Sequence, residues 1–484
     1  MQRIYEVNDL RKYLKCPRYY YLSKQYKVDY IPYASYEDSL IELVCKKLGI
    51  SEYYLGSEND SAKRFFNEFD NYEWFLKARL KFRSLEVKVP VIHKRKDKEL
   101  DIYLVMFLCK PKITDTLFYL SHIWVLEKLG FKIGKIKILY LNEGYKRGAF
   151  LDLDELFILS EEIYDHKTHE ILNVREIIMS NQYNIYRLIK EIQSHELADF
   201  KALESDKCKG KSRCEMYDKC FDEDKIADNS ILTLSDTKKK EYYLKMGFKT
   251  LKDLDVNFIK ASKRQLAQIK ADLNGGRYIN QQELKQFLDK IIYPISFIDF
   301  EWETYLIPPY EGLKPYSALC FAYSLHILDK DGNLTHYDFI SKGDTRKEFV
   351  DSLIERIPKQ GSIIAFNAKG AEELRLKELA DYYKEKATSV YQLIDRLIDL
   401  AHPFSEGLIY DLRMKGKYNL KILLSIASDL SYDDLNIRDG LQAVDLFRKL
   451  DNLNDKRISE LKEYYTLDTY SMYLVYKWIL SLTE

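Results

Sequence analysis

The residues best able to do chemistry are two carboxylates, Asp299 and Glu301, which lie two positions apart in the apolar run Phe297–Glu301. Side chains two positions apart on a β-strand project from the same face, so we expect the two carboxylates side by side. Acids this close repel each other unless cations neutralise them, and hard divalent ions such as Mg²⁺ prefer oxygen ligands. Two such ions about 3.5–4 Å apart can activate a water and stabilise a leaving oxygen in phosphodiester hydrolysis. The alternative is a pair of exposed acids at a strand end, which is a common arrangement.

Two further segments carry polar residues that could join this pair. A second apolar strand, Ile363–Asn367, is followed by Glu372 at the start of a predicted helix. Near the C-terminus Tyr464 and Asp468 are four positions apart, which places them on one face of a helix. A tyrosine hydroxyl beside a metal-binding aspartate can orient an attacking water. In a chain with 40 tyrosines, the same spacing also arises by chance.

In order and spacing, these segments resemble the DEDDy exonucleases, the DnaQ-like branch of the RNase H-like fold. That family has Asp-x-Glu on its first strand, Asn followed by an acid at a helix start, and Tyr-x-x-x-Asp on a late helix. The resemblance implies a two-metal 3′–5′ exonuclease using Mg²⁺ or Mn²⁺, with metal ligands Asp299, Glu301, Glu372 and Asp468, and with Tyr464 positioning the water.

The second motif departs from the family pattern. The family usually has an aspartate four residues after the asparagine, whereas Ala371 stands four residues after Asn367 and Glu372 follows it. Asp399, in the run Leu397–Leu400, is the alternative third ligand.

The stretch from residue 293 to the C-terminus also resembles an uncharacterised bacterial domain family of this fold, often fused behind a RecB-like nuclease domain. Four runs carry this likeness: Ile307–Gly312, Tyr323–Leu328, Gly416–Lys421 and Leu430–Leu435. The acids after Tyr432 and at Asp439 are interpreted as solvated turns rather than a second acidic site.

Cysteines form a second constellation. Cys208, Cys214 and Cys220 are six positions apart from one to the next, which suggests a metal centre that needs one more ligand, and Cys16 is the natural fourth. This arrangement resembles the iron–sulfur nuclease domains of the RecB-like PD-(D/E)XK class, which implies a [4Fe–4S] cluster. Zinc and unliganded thiols remain alternatives, because ligand spacing does not separate them.

The RecB-like resemblance also implies an Asp and a Glu-x-Lys on adjacent strands. Neither acid is present near Val91 or near Leu108–Lys110, and His122 stands where a glutamine is usual. Residues 1–225 are therefore interpreted as a degenerate nuclease domain that keeps its cluster. Asp101 and Glu99, in an altered register, are the alternative acids.

These residues need elements to position them. Periodicity predicts an α/β chain with three parts: a mixed α/β domain over 1–225, a small helical connector over 226–290, and a mixed sheet flanked by helices over 291–484. Predicted helices of the first domain are Val7–Tyr26, Tyr36–Leu48 and Ser61–Arg83. In the last domain we predict strands at Ile295–Phe300, Ala318–Leu328, Leu334–Ile340 and Ser362–Asn367, and a closing helix Ile458–Ser481.

Composition bounds the function. With 46% apolar and 31% charged residues the chain of 484 residues is globular, and it has no secretory signal or membrane-spanning run, so a cytoplasmic protein without a membrane partner is expected. Lys+Arg and Asp+Glu both number 76, so nucleic acid could be attracted only locally, for example by Arg18–Tyr21, His93–Lys96 or Lys207–Arg213.

We therefore predict a metal-dependent nuclease acting on single-stranded DNA or RNA. The alternative is a nucleic-acid-binding scaffold in which both nuclease folds have decayed, with an iron–sulfur or zinc clamp. A redox enzyme is disfavoured, because no glycine-rich nucleotide-binding turn accompanies the cysteines.

Overall fold

The computed structural model describes residues 3–26, 40–57, 60, 62–112, 115–165, 168–180, 183–195, 208, 214–221, 226–237 and 239–483. The basic run Lys207–Arg213 lies outside the described residues except for Cys208, as do the first residues of the helix predicted over Tyr36–Leu48. The chain is a mixed α/β protein, as its periodicity predicts.

A mixed sheet organises the N-terminal part. Its strands are β1 (Tyr5–Glu6), β2 (Tyr54–Leu55), β3 (Trp74–Phe82), β4 (Leu85–Lys94), β5 (Leu100–Met106), β6 (Ile133–Leu141) and β7 (Phe157–Ser160). The order is β2-β3-β4-β5-β6-β7, with β1 beside β4. The β5 and β6 strands are parallel, and β8 (Glu162–Tyr164) and β9 (Ile171–Asn173) form a separate antiparallel pair.

Helices cover this sheet on both faces. They are α1 (Val7–Lys15), α2 (Pro17–Gln25), α3 (Leu40–Leu48), α4 (Ala62–Glu68), α5 (Thr116–Lys128), α6 (Leu153–Leu156), α7 (Val174–Met179), α8 (Ile185–His195) and α9 (Tyr217–Cys220). The larger core packs α5 and its neighbours against the sheet, while the opposite face is covered in part by Leu306 from the C-terminal part of the chain.

Two of the predicted helices are wrong in extent. The helix predicted over Ser61–Arg83 ends at Glu68. The second half of that range forms β3, which pairs with β4 over Trp74–Phe82 and has roughly alternating buried and exposed side chains. The helix predicted over Val7–Tyr26 is two helices, since Pro17 cannot donate the backbone hydrogen bond that would continue the first one.

The segment that connects the two sheets along the chain contains α10 (Lys240–Lys245), α11 (Val256–Ile259), α12 (Lys263–Leu273), β10 (Arg277–Ile279) and α13 (Gln281–Leu288). This region packs against the C-terminal sheet, because Ala267 and Ala271 of α12 share a core with Ile295. The β10 strand also pairs antiparallel with a strand far along the chain, β16.

The C-terminal part has a five-stranded mixed sheet in the order β13-β12-β11-β14-β15. Its strands, with β16, are β11 (Ile295–Thr304), β12 (Ala318–Leu328), β13 (Leu334–Ile340), β14 (Ile363–Ala365), β15 (Leu397–Asp399) and β16 (Ile409–Asp411). The first three pair antiparallel, whereas β11, β14 and β15 are parallel. The prediction of a mixed sheet flanked by helices is confirmed for this part of the chain.

Helices flank both faces of this sheet: α14 (Arg346–Arg356), α15 (Glu372–Tyr382), α16 (Ala387–Ile394), α17 (His402–Ser405), α18 (Leu420–Ala427), α19 (Gly440–Arg448) and α20 (Ile458–Ser481). One face of β11 packs on α20, where Phe297 meets Met472 and Val475. Its other face packs Ile298 and Phe300 on α14 and α15. Within the described part of the chain, no helix is both long and apolar enough to cross a bilayer.

Candidate active site

The central strand β11 carries the two acids that open the site. Asp299 is opposite Ser324 of β12 and Glu301 is opposite Ala322, and the register shifts by a bulge directly after Glu301. Odd-numbered residues of β11 face α20, as Phe297 does, so the two carboxylates project toward that helix. The spacing of the pair in sequence thus predicts their shared face correctly.

The long helix α20 supplies the third acid. Each of Asp299, Glu301 and Asp468 has a carboxylate oxygen within 4.8 Å of the others. Asp468 is only 9% exposed, and Asp299 is half-buried at the mouth of the group. Three oxygens converging in this way form a set that could hold a divalent metal ion.

Burial and mutual repulsion raise the pKa of these carboxyls. For Asp299 and Glu301 the pKa lies well above its usual value, first because burial disfavours the charge and then because the neighbouring carboxylates repel it. Burial also raises the pKa of Asp468 to about 6, although Tyr432, Lys421 and Tyr464 pull it down. Such a cluster gains stability by binding a proton or a cation.

Glu372 lies in the wall of the same cavity, at the first turn of α15. It is 1% exposed, and its Oε2 has no hydrogen-bond partner among the described residues. Burial raises its pKa to about 8, against the effect of the backbone amides of Glu372 and Phe300. It does not belong to the set of oxygens that meet within 4.8 Å, so it stands beside that set with an unsatisfied buried oxygen.

The local backbone explains why the second motif is offset by one residue. Asn367 has a left-handed backbone with φ of 58°, and a single 3₁₀ turn, Ala368–Gly370, separates it from α15. The helix therefore begins at Glu372 rather than at Ala371. The side chain of Asn367 is exposed and does not line the cavity.

The alternative ligand, Asp399, braces the end of β15. Its Oδ1 accepts hydrogen bonds from the backbone amides of Asn367 at 2.8 Å and Ala401 at 2.9 Å. It is absent from the converging set and from the cavity lining, and its charge contributes to the raised pKa of Glu372. The geometry thus favours Glu372 over Asp399 as the acid that faces the site.

Tyr464 lies one turn before Asp468 on α20 and is buried in the cavity wall. Burial and the carboxylates of Asp468, Glu301 and Asp299 raise its pKa, so the phenol keeps its proton at neutral pH. A protonated phenol beside these acids can donate a hydrogen bond to a carboxylate or orient a water.

Two functional residues were missed by the sequence analysis. Tyr432 is buried and donates from its hydroxyl to Asp468 Oδ1 at 2.6 Å, so the turn around it is not wholly solvated as we expected, although Asp433 and Asp434 are exposed. Lys421 lines the cavity, with its ammonium 5.3 Å from the centre of the Tyr432 ring. Both lie in the runs that carry the wider family likeness, which was the only signal for them.

The acids open into a cavity of about 540 Å³. Trp302, Phe366, Leu441 and Met472 contribute apolar surface to its lining, and Lys421 contributes a positive charge. A cavity with apolar walls, one cation and convergent acids has the features of a small-ligand site, and aromatic walls can contact a base or a sugar.

The four predicted cysteine ligands lie in one region. Cys16 is at the junction of α1 and α2, Cys220 ends α9, and the amide of Cys214 donates to the carbonyl of Cys208 at 2.9 Å. Burial raises the pKa of the Cys220 thiol, as do the nearby Cys16 and Cys208, while Arg18 lowers it. Among the described residues, no three of these sulfurs come within 4.8 Å of one another, so the metal centre stays a prediction.

The alternative acids of the N-terminal sheet serve the fold. Asp101 accepts a 2.6 Å hydrogen bond from the Lys135 amide, and a Cβ at Gly134 would lie 2.3 Å from its Oδ1. Glu99 pairs with Arg95 at 3.2 Å. In the described part of residues 1–225, no three acids, histidines or cysteines converge within 4.8 Å.

His122 is likewise buried between elements. Its Nδ1 lies 2.7 Å from the Phe118 carbonyl and its Nε2 lies 3.1 Å from the Lys88 carbonyl of β4. Burial lowers its pKa. It joins α5 to the sheet and contacts no acid of a nuclease site.

Comparisons with known proteins gave a family match to part of the chain and a weakly similar solved structure. A search of the curated proteins found no match. A solved structure of the family B DNA polymerase from the hyperthermophilic archaeon Pyrobaculum calidifontis is similar at 16% identity and a TM-score of 0.26. That match covers 37% of this chain and 23% of the polymerase, and so weak a likeness says nothing about activity.

The model of one protein family matches residues 296–419, and its description is a domain of unknown function, DUF2779. The match includes Asp299, Glu301 and Glu372, and it ends before Tyr464 and Asp468. This stretch, which runs from β11 to beyond β16 and includes the five strands of the C-terminal sheet, is therefore similar to the DUF2779 family.

Proposed function

We propose that the C-terminal part of the chain is a divalent-metal-dependent nuclease that hydrolyses phosphodiester bonds. The observation that carries the proposal is the convergence of Asp299, Glu301 and Asp468 within 4.8 Å in a cavity, with every carboxyl held in an environment that disfavours its lone charge. Such a cluster costs stability in the absence of a cation. A site of this kind suits a ligand that brings positive charge.

Asp299, Glu301 and Asp468 would hold Mg²⁺ or Mn²⁺, and Glu372 would contribute its unpartnered Oε2. Two such ions, if bound, would supply the positive charge that activates a water and stabilises a leaving oxygen. The protonated phenol of Tyr464 would orient that water, and Tyr432 fixes the Asp468 carboxylate through its 2.6 Å hydrogen bond. The 3′–5′ polarity and the single-stranded DNA or RNA substrate follow from the resemblance to the DEDDy exonucleases.

Hydrolysis of 3′- and 5′-end-labelled single-stranded oligonucleotides with Mn²⁺ tests this function. Asp299→Asn keeps the shape of the side chain and removes its charge, and we expect it to abolish hydrolysis. The control is Asp351→Asn, an exposed aspartate of α14. Equal activity in the wild type and Asp299→Asn would refute the assignment, and binding without hydrolysis in all three proteins would favour the scaffold.

We further propose that Cys16, Cys208, Cys214 and Cys220 bind a [4Fe–4S] cluster, with zinc as the alternative. The donor set suits an iron–sulfur or zinc centre, and Arg18 and Lys15 stand close enough to offset thiolate charge. The centre would hold α1 and α2 against the segment Cys214–Phe221. An ion pair of 3.0 Å between Lys15 of α1 and Glu215 already joins these two regions.

Metal analysis of anaerobically purified protein tests the clamp. Iron with acid-labile sulfide and a broad visible absorption band are expected, and Cys16→Ser should lose both. Stoichiometric zinc without iron would replace the cluster with the zinc alternative. Absence of both metals would refute the clamp.

A further inference from the structure

A second cavity of about 510 Å³ lies where the N-terminal and C-terminal sheets meet. The two parts are joined there by backbone hydrogen bonds between Arg147 and the loop Gly312–Leu313. Five cationic side chains and two carboxylates line the cavity: Lys146, Lys314, Arg346, Arg375 and Lys384, with Glu378 and Asp381. Its lining therefore carries an excess of positive charge.

The two arginines are buried and held in place. Arg346 donates from Nε to Asp344 Oδ1 at 2.7 Å and from Nη2 to the Glu311 carbonyl at 2.8 Å. Arg375, which is 8% exposed, donates from Nη2 to Glu378 Oε1 at 3.0 Å. Each guanidinium is paired with a carboxylate, Arg346 with Asp344 and Arg375 with Glu378, so the excess positive charge comes mainly from the lysines.

The lysines stand at the rim of the cavity. Lys146 comes from the segment after β6, Lys314 from the β11–β12 loop and Lys384 from the end of α15, and all three are exposed. Lys384 pairs with Asp381 at 2.8 Å. In the described part of the chain no carboxylate lies within 4.0 Å of the Lys146 or Lys314 ammonium, although Lys146 is near enough to Asp381 to lower the pKa of that carboxyl. The rim therefore offers charge from both parts of the chain to a polyanion.

Tyr382 is the aromatic residue among those that line this cavity. The Arg346 guanidinium lies 3.5 Å from the centre of its ring and covers one face of it. The cavity therefore offers mainly charged groups to a ligand. Contacts of this type recognise the sugar-phosphate backbone and not the sequence.

The basic cavity adjoins the acidic one. The Arg375 guanidinium lies 5.3 Å from the centre of the Trp302 ring, and Trp302 lines the acidic cavity. Glu372 and Arg375 are one turn apart on α15, and they line the acidic and the basic cavity respectively. The two cavities are therefore neighbours, separated by the Trp302–Arg375 contact.

We propose that the basic cavity binds backbone phosphates of a single-stranded nucleic acid whose terminal nucleotide occupies the acidic cavity. The inference rests on the proposed nuclease function and extends it: the junction of the two sheets is part of the substrate path. The N-terminal part thereby contributes Lys146 to substrate binding.

Fluorescence anisotropy with a labelled single-stranded 12-mer, in DNA and RNA forms, tests the proposal in EDTA, so that no hydrolysis is required. The variant is Lys146→Ala/Lys314→Ala. The control is Lys330→Ala, an exposed lysine beyond the opposite end of β12 from Ala318. We expect the double variant to bind at least about 10-fold more weakly, and the slope of log K against log salt to fall by about 1.4, or about 0.7 per lost contact.

Unchanged affinity and slope in the double variant would overturn the proposal, as would a wild type that binds neither nucleic acid. Equal competition by poly-glutamate at matched ionic strength would assign the cavity to an acidic protein and overturn it too. Tight binding with the expected slope, in a wild type that hydrolyses nothing under Mn²⁺, would refute the nuclease function and support the basic cavity.

Discussion

The contribution of the buried acids to the stability of the metal-free protein should fall as pH rises, because these acids must lose their protons. A carboxyl whose pKa is higher in the folded state binds its proton more tightly there. Its contribution to stability is fully present below the pKa of the unfolded chain and is lost as pH rises from that value through the pKa of the folded protein. For Asp468 that window runs from 3.8 to about 6. The shift corresponds to about 3 kcal/mol at 1.36 kcal/mol per unit.

Asp468→Asn isolates this contribution. The Asn Oδ1 can still accept from Tyr432, although a hydrogen bond to a neutral group is weaker by about 1 kcal/mol, which leaves a net gain of about 2 kcal/mol above pH 7. For a domain of about 200 residues, that gain raises the melting temperature by about 4–8 °C. At pH 4, where Asp468 is largely protonated, the variant and the wild type should melt alike.

Thermal denaturation between pH 4 and 8, in EDTA and in Mn²⁺, measures both effects. His326 opposes the trend, because burial lowers its pKa from 6.5 to about 4 and its neutral form stabilises the fold as pH rises through that window. The comparison is therefore the difference between variant and wild type at each pH, in which the His326 contribution cancels. Mn²⁺ should stabilise the wild type at pH 8 and Asp468→Asn far less. Parallel pH profiles, or equal stabilisation of both proteins by Mn²⁺, would refute the reasoning.

Two further substitutions test parts of the site, and a third tests the buried ion pair between Glu303 of β11 and Arg448 of α19. Tyr432→Phe removes the 2.6 Å hydrogen bond that orients the Asp468 carboxylate, and loss of such an outer-shell partner should weaken Mn²⁺ binding about 10-fold; an unchanged Mn²⁺ midpoint in the hydrolysis assay would contradict this. Tyr464→Phe should instead slow hydrolysis about 100-fold with a smaller change in that midpoint, and equal rates at saturating Mn²⁺ would exclude its water-positioning role. Arg448→Met leaves Glu303 unpaired at 2% side-chain exposure where a 2.7 Å ion pair stood, so it should destabilise the protein by about 3–5 kcal/mol in urea unfolding; a loss below 1 kcal/mol would show that the pair is dispensable.

The sequence was most informative where local periodicity and function coincide. Alternation along β11 predicts that Asp299 and Glu301 share a face, and helical spacing predicts the same for Tyr464 and Asp468. Both pairs line the acidic cavity. The two pairs come together only through packing between segments more than 160 residues apart. Local sequence patterns do not predict such packing, so the proximity of the pairs was indicated only by the family resemblance and then by the structure.

Non-local contacts were invisible to the same reasoning. Tyr432 reaches Asp468 from a segment 36 positions away, and nothing in its own neighbourhood indicates burial. The sequence of β3 predicts a helix, and only its pairing with β4 shows that it is a strand, because strand propensity depends on cross-strand neighbours. The offset at Glu372 depends on the left-handed backbone of Asn367. Each of these features is fixed by tertiary structure.

The two sheets show how a structural acid differs from an acid kept for a ligand. Asp101 in β5 accepts a hydrogen bond from the Lys135 amide, and nitrogen atoms of Arg95 and His93 each lie 4.0 Å from its carboxylate. Groups of the protein itself therefore stabilise the Asp101 carboxylate. Glu372 is almost fully buried with one oxygen unpartnered, in a cavity that already holds three other carboxyls. Stability alone would favour an apolar residue or a hydrogen-bonded acid at such a position. The unpartnered oxygen is therefore better explained by a cation that the fold does not supply, which is the same requirement that the three converging acids impose.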